Sequence, residues 1–151
     1  MRPEWPEKIN KLLIHGSILD LCSGGGRFYG VFKGRDYTGV DKDVAAITNA
    51  KKTFPRGNWI VGDVAKWQPD KAYDNIFTWV ALQHILPKDI VKVFKMMKET
   101  SGNIIMCERI YDPEPNESDY LWTHDYKKHF KGLKMIESIS NEVWLMNWRK
   151  K

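Results

Sequence analysis

The sequence predicts an α/β protein with a doubly wound, mostly parallel sheet that closes in an antiparallel hairpin. Three observations carry that expectation. Short apolar runs of strand length alternate with amphipathic segments of helical period through the first two thirds of the chain. The first run carries an acid and opens onto Ser23-Gly24-Gly25-Gly26-Arg27-Phe28, a tight turn of the kind with which such sheets hold a nucleotide-like ligand at their strand ends. The last two β-rich runs are separated only by Ser140-Asn141-Glu142, which is hairpin spacing.

In order along the chain, Glu7–His15 reads as a short helix with Ile9, Leu12 and Leu13 on one face and Gly16 as its stop. The first strand is Ile18–Cys22, and Gly30 and Gly34 keep the next helical segment, Phe28–Arg35, short. Tyr37–Val40 is the second strand, ending at Asp41, and Asp43 is placed to cap a helix through Ala45, Ala46 and Ala50. Trp59–Val61 is the third strand, followed by Gly62-Asp63 and a loop to Pro69. Tyr73–Thr78 is the fourth and runs into residues 79–85. Pro87 suits a first helical position, and Ile90, Val91, Phe94 and Met97 supply an apolar face up to Gly102.

Asn103–Glu108 is almost continuously apolar, as a strand covered on both faces should be. The loop 109–122, with Pro113, Pro115 and several acids, is the longest irregular stretch and reads as a site loop. Thr123 is placed to cap a helix carrying Tyr126 and Phe130, which Gly132 ends. Lys134–Ile139 and Val143–Trp148 form the closing hairpin.

Length and composition limit the function classes. At 151 residues the chain predicts one domain, 1–151, large enough for a sizeable core. No run has the length of a membrane span, and residues 1–17 carry charges throughout with no apolar centre, so neither a membrane anchor nor a secretory leader is expected. Cys22 and Cys107 fall in strands predicted to be buried and form neither a disulfide framework nor a zinc spacing with the four histidines. A reducing, cytoplasmic setting and no metal site follow as expectations. The net charge of +5 comes from dispersed lysines and does not select nucleic acid over a solvated basic surface.

Three carboxylates fall at matching places: Asp20 in the first strand, Asp41 ending the second and Asp63 just past the third. A parallel sheet gathers all three at its carboxyl edge beside the glycine turn. An acid after the second strand can accept both hydroxyls of a ribose. Asp63 lies where a purine amine would reach, and Asp20 suits a ligand carrying a positive charge or amines. A dinucleotide is the competing ligand. Gly24, Gly26 and Gly30 give only a loose glycine pattern, since Tyr29 breaks the tight one, and an acid beside the turn is a poor neighbour for a pyrophosphate.

With these motifs in place, the chain resembles the class I S-adenosylmethionine-dependent methyltransferases, in their small-molecule methyltransferase-domain branch. The resemblance rests on Ile18–Phe28, Tyr37–Asp43, Gly62-Asp63-Val64, Tyr73–Thr78 leading into Val80-Ala81-Leu82-Gln83-His84-Ile85, Ile104–Glu108 and Thr123–Leu133, in that order over nearly the whole chain. It implies a Rossmann-like seven-stranded sheet in the order 3-2-1-4-5-7-6, a minimal N-terminal cap and S-adenosyl-L-methionine as cofactor. It places Asp20 and the backbone of Gly24, Gly25 and Gly26 around the methionine part, with Cys22, Lys42 and Trp79 flanking the cofactor. Asp41 goes to the ribose, Asp63 and the Val64 amide to the adenine, and the Thr78 carbonyl to the amino group. Cys22 stands where the family usually has glycine and reads as a structural thiol.

Methyl transfer needs alignment of a nucleophile and exclusion of water more than covalent help. His84, in the segment facing the methyl group in relatives, is the candidate general base. Trp79, Tyr111, Tyr120, Trp122 and His124 could wall an aromatic substrate pocket, with Glu108 and Arg109 beside it. The expected reaction is transfer to O or N of a small molecule. Nucleic acid is disfavoured because Thr78-Trp79-Val80-Ala81 stands where base methyltransferases carry Asn/Asp-Pro-Pro-aromatic or Pro-Cys, and no target-recognition domain is visible. The small cap leaves room for a second copy of the chain or a partner subunit to supply a lid. The alternatives are a cofactor-binding, non-catalytic subunit of a larger assembly and, further off, an NAD(P)-dependent oxidoreductase.

Overall fold

A computed structural model describes residues 4–110, 121–122, 124–140 and 142–151. It contains one seven-stranded sheet: β1 (Ile18–Leu21), β2 (Tyr37–Asp41), β3 (Asn58–Val61), β4 (Asn75–Trp79), β5 (Asn103–Arg109), β6 (Lys134–Ser138) and β7 (Val143–Arg149), in the order β3-β2-β1-β4-β5-β7-β6. The first five strands pair in parallel, and β7 joins β5 and β6 antiparallel. This is the expected doubly wound, Rossmann-like sheet with its closing hairpin.

Alternation along the strands sorts side chains onto two faces. Leu19 and Leu21 of β1 pack with Ile76, Ile104, Met106 and Met146 under α3 (Pro87–Thr100) and α4 (Tyr126–His129). Ile18, Phe77, Ile105 and Leu145 pack on the other face under α1 (Trp5–Leu12) and α2 (Val44–Thr53), where Phe28, Phe32, Tyr37 and Trp59 add an aromatic layer. The register sets Leu21 beside Val40 and Thr78, Asp41 beside Val61, and Trp79 beside Cys107, so the carboxyl ends of β1 to β5 finish along a common rim.

Several boundaries differ from expectation for physical reasons. Helix α1 starts two residues early because Pro6 is tolerated in a first turn, and it stops at Leu12 when Leu13 turns extended (ψ 142°) rather than at Gly16. In α3, Val91 is 52% exposed while Val93 and Met96 are buried. The face centred on Ile90, Phe94 and Met97 lies nearer to position 93 than to 91 at 100° per residue. The segment after the glycine turn is a single 3-10 turn, Tyr29–Phe32. Helix α4 begins at Tyr126 under Asp125, whose carboxylate accepts from the Lys128 amide at 2.9 Å. The expected cap, Thr123, lies outside the described residues.

Candidate functional site

At the carboxyl rim the chain leaves a cavity of about 650 Å³. One wall comes from the ends of β2 and β3 with Asp41, Lys42, Gly62, Asp63, Val64 and Ala65. The other comes from the segment after β4 and the start of α3, with Trp79, Val80, Ala81, His84, Ile85, Leu86 and Asp89, joined by Trp122; Cys22 lies between the two. The adjacent strands β1 and β4 both leave the sheet through a residue in the left-handed region, Cys22 (φ 59°) and Val80 (φ 48°). Neither side chain favours that region, and such strain, of order 1–3 kcal/mol at each position, collects at functional sites. Cys22 was expected inside β1; it instead occupies a turn position where a glycine would sit unstrained. Burial pushes its thiol far above the usual range, so it carries no thiolate.

Asp41 ties three elements together. Its Oδ2 accepts the Gly24 amide at 2.8 Å and its Oδ1 the Asp43 amide at 2.9 Å. Asp43 in turn caps α2 through the Ala45 and Ala46 amides at 2.8 and 3.0 Å. A carboxylate has about four lone-pair positions, so Asp41 keeps capacity for two vicinal hydroxyls. The glycine turn is shaped from two sides. A side chain on Gly26 (φ 84°) would start 2.6 Å from the Trp59 ring, whereas nothing stands within 4 Å of the matching point on Gly24 (φ 53°). Gly24 therefore leaves the floor of the turn open to a ligand. At the far wall Asp63 Oδ1 accepts the Ala65 amide at 3.0 Å, and among the described residues the Val64 amide has no backbone acceptor. Spare carboxylate capacity, an open glycine floor and a free amide fit a nucleoside.

Other candidates lie off the cavity. Asp20 faces the aromatic layer with Ile18, is 2% exposed, and accepts from the Tyr37 hydroxyl at 2.7 Å. Burial pushes its carboxyl up to about 7 against the opposing Tyr37 bond, with the Asp41 charge adding to the rise. Thr78 is buried inside β4. Glu108 is fully buried and accepts the Ala81 and Leu82 amides at 3.0 and 3.2 Å. Arg109 is paired with Glu142 at 3.0 Å. His124 Nε2 lies 2.9 Å from the Leu82 carbonyl with its ring against Phe94, and burial lowers its pKa.

His84 does line the cavity and is exposed, with its Nε2 3.3 Å from Gln83 Nε2. Trp79 packs against Phe28 at 4.7 Å with the rings tilted by 42° and also lines the cavity, and the Trp122 amide donates to the Gln83 carbonyl at 2.8 Å. Tyr111 and Tyr120 lie outside the described residues. Sequence reasoning missed Gly62, Ala65, Val80, Ala81, Ile85, Leu86 and Asp89 as lining residues. Asp89 follows Pro87 in the first turn of a helix that starts at the strand ends, which is the one available signal.

The molecule is similar to several solved structures. It matches DhpI in its complex with SAH at a TM-score of 0.79 and 14% identity, over 97% of this chain and 82% of that one. It matches a TehB-like SAM-dependent methyltransferase from Corynebacterium glutamicum at 0.72 and 21%, over 97% and 86%. The PH0226 protein from Pyrococcus horikoshii matches at 0.77 and 18%, over 98% and 88%. These likenesses establish the fold. No curated protein matches the sequence. The sequence profile of the family described as Methyltransferase domain matches residues 18–101, more than half of the chain. By that match, and with the fold in agreement, the chain belongs to the methyltransferase-domain family, the class I S-adenosylmethionine-dependent methyltransferases.

Proposed function

We propose that this protein, as a single domain spanning 1–151, moves a methyl group from S-adenosyl-L-methionine to O or N of a small molecule by in-line transfer. The observation that carries the reading is the rim cavity itself, where Asp41, Asp63 and the Val64 amide stand along one wall; the glycine turn adjoins it through Asp41, although Gly24, Gly25 and Gly26 do not line it themselves. Asp41 would accept the ribose hydroxyls, Asp63 the adenine amine, and Val64 N–H would donate to a ring nitrogen. Asp20 acts from behind the turn, as a charge near the methionine amino group rather than by direct contact. The cofactor supplies an activated methyl carbon, so the protein need only orient the acceptor and exclude water. That work falls to the opposite wall. Trp79 and Trp122 offer flat apolar surface for the acceptor, and His84 is placed to take a proton from an acceptor hydroxyl or ammonium.

S-adenosyl-L-methionine as the donor agrees with the SAH complexes of DhpI and of the plantazolicin methyltransferase BpumL among similar structures. No helix among the described residues is long and apolar enough to cross a membrane, and we infer a cytoplasmic enzyme whose lid is supplied by a second copy of the chain or a partner subunit. The test is calorimetry with S-adenosylmethionine, S-adenosylhomocysteine and NAD(H). The first two should bind at micromolar level, with NAD(H) silent, and Asp41→Ala should weaken them at least about tenfold, or about 1.4 kcal/mol. Binding of NAD(H) in preference, or full affinity in Asp41→Ala, would remove the assignment.

A further inference from the structure

We propose that Glu108 is the positioning residue of the acceptor wall: its buried carboxylate holds the strained turn after β4 in the conformation that presents Val80, Ala81 and His84 to the cavity. This rests on reading the cavity as the methyltransferase site. Sequence position alone suggested that Glu108 touches substrate, but it is 0% exposed and faces protein on all sides.

The chain leaves β4 at Trp79, opposite Cys107, so the turn begins directly beside Glu108 on the neighbouring strand. Val80 N–H donates to the Cys107 carbonyl at 2.7 Å and Val80 then enters the left-handed region at φ 48°. A β-branched residue does not hold that geometry unaided, and something outside the turn must over-determine it. Glu108 supplies the restraint. Oε2 accepts the Ala81 and Leu82 amides at 3.0 and 3.2 Å, and Oε1 accepts the Ala81 amide at 3.2 Å. No Lys or Arg pairs with Glu108 among the described residues. A carboxylate buried without a cation is costly, and its amide partners are those of the turn that carries His84. The segment beyond β5 adds two further ties, Trp122 N–H to the Gln83 carbonyl at 2.8 Å and His124 Nε2 at 2.9 Å from the Leu82 carbonyl. Loosening the turn would therefore move both the His84 and the Trp122 sides of the cavity.

The groups whose protonation is coupled to Glu108 are Cys22 at the end of β1, Tyr126 in α4 and Cys107, which projects from β5 to the opposite face of the sheet, with the Thr78 hydroxyl of β4 beside the carboxylate. Burial pushes its carboxyl up to about 7, opposed by the Thr78 hydroxyl and the two turn amides. Protonation weakens it as an acceptor, so the restraint slackens as pH falls through that value.

The test compares wild type, Glu108→Gln, Val80→Gly and the double variant. Three quantities are read: calorimetric affinity for S-adenosylhomocysteine from pH 6 to 8.5, amide protection at Ala81 and Leu82, and the melting temperature. Glu108→Gln should weaken binding about tenfold at pH 8 and lower protection at both amides. It should also remove the loss of affinity that wild type shows toward pH 6. Val80→Gly should recover most of the Glu108→Gln loss, because glycine adopts the left-handed turn without strain. A Glu108→Gln protein that melts lower but keeps wild-type affinity, pH profile and protection at residues 81 and 82 would overturn the proposal. If no form binds the ligand, the cofactor reading fails, while protection at the two amides still decides the role of Glu108. If Glu108→Gln does not fold, Val80→Gly decides: protection at Ala81 and Leu82 should depend less on pH than in wild type, and an unchanged dependence would overturn the proposal.

Discussion

The two edges of the sheet bury polar groups to opposite ends. At the amino edge Asn75, Asn103 and Asn147 form one hydrogen-bonded chain. Asn147 donates to Asn103 Oδ1 at 2.9 Å and Asn103 to Asn75 Oδ1 at 2.8 Å, while Arg149 Nε reaches Asn103 Oδ1 at 3.2 Å. The same network fastens the end of α1, with Asn103 and Arg149 on the Leu12 carbonyl and Asn75 on the Ile14 carbonyl. The carboxyl rim holds two left-handed non-glycine residues, two carboxyls raised to about 7, and the buried Tyr126 hydroxyl and Gln83 Oε1, which have no hydrogen-bond partner among the described residues. Satisfied polar networks specify and stiffen a fold, whereas strained and under-satisfied groups are retained where a ligand is handled. The amino edge is the anchor, and the rim is the proposed site.

If that division holds, the largest loss of stability should come from the anchor. Asn103→Ala should lower unfolding free energy by about 3 kcal/mol in chemical denaturation, since it strands several buried partners at once, and the folded variant should keep wild-type affinity for S-adenosylhomocysteine. A large loss of affinity would mean that the two edges are coupled.

The rim should show the reverse. Asp20 has its folded pKa raised from an ordinary 3.8 to about 7, so its contribution to stability is fully present below about pH 4 and is lost as pH rises through about 7. Glu108 has the same sign over a similar window, from 4.5 to about 7. Unfolding free energy should therefore rise as pH falls from 8 to 5, by of order 2–3 kcal/mol for each carboxyl. Asp20→Asn should remove its share of that slope and be the more stable protein at pH 8, while binding S-adenosylmethionine less tightly. A flat profile between pH 5 and 8 in wild type would contradict the burial of both charges. Smallest of all, Lys8→Ala removes an ion pair to Glu137 that both partners expose by a third or more. It should change stability by less than about 0.5 kcal/mol and binding not at all.

The acids of the proposed cofactor wall were legible in the chain because they follow from strand ends, whereas the asparagine anchor was not read from it. The alternation of strands and helices fixed where each carboxyl edge falls, and Asp41 and Asp63 came with it. Asp43 was readable as a cap because a short acid before an alanine-rich helix has one common use. The acceptor wall was harder to read. Nothing in Trp79-Val80-Ala81 signals a left-handed valine, and the apolar run Asn103–Glu108 hides which way its terminal acid points, since both faces of β5 are covered. Asp20 alternates with Ile18, which sets it toward the aromatic face with Tyr37 and off the cavity lining. The start of α1 at Trp5 and the inward turn of Val93 in place of Val91 were within reach of the sequence, since Pro6 is tolerated in a first turn and the helical period of α3 favours position 93 over 91.

A crystal structure of the protein with S-adenosylhomocysteine tests the central claim most directly. The account predicts both ribose hydroxyls within hydrogen-bond distance of Asp41, the adenine between Asp63 and the Val64 amide, and the thioether sulfur facing the wall of Trp79, His84 and Trp122. A ligand seated elsewhere, or a ribose out of reach of Asp41, would contradict it.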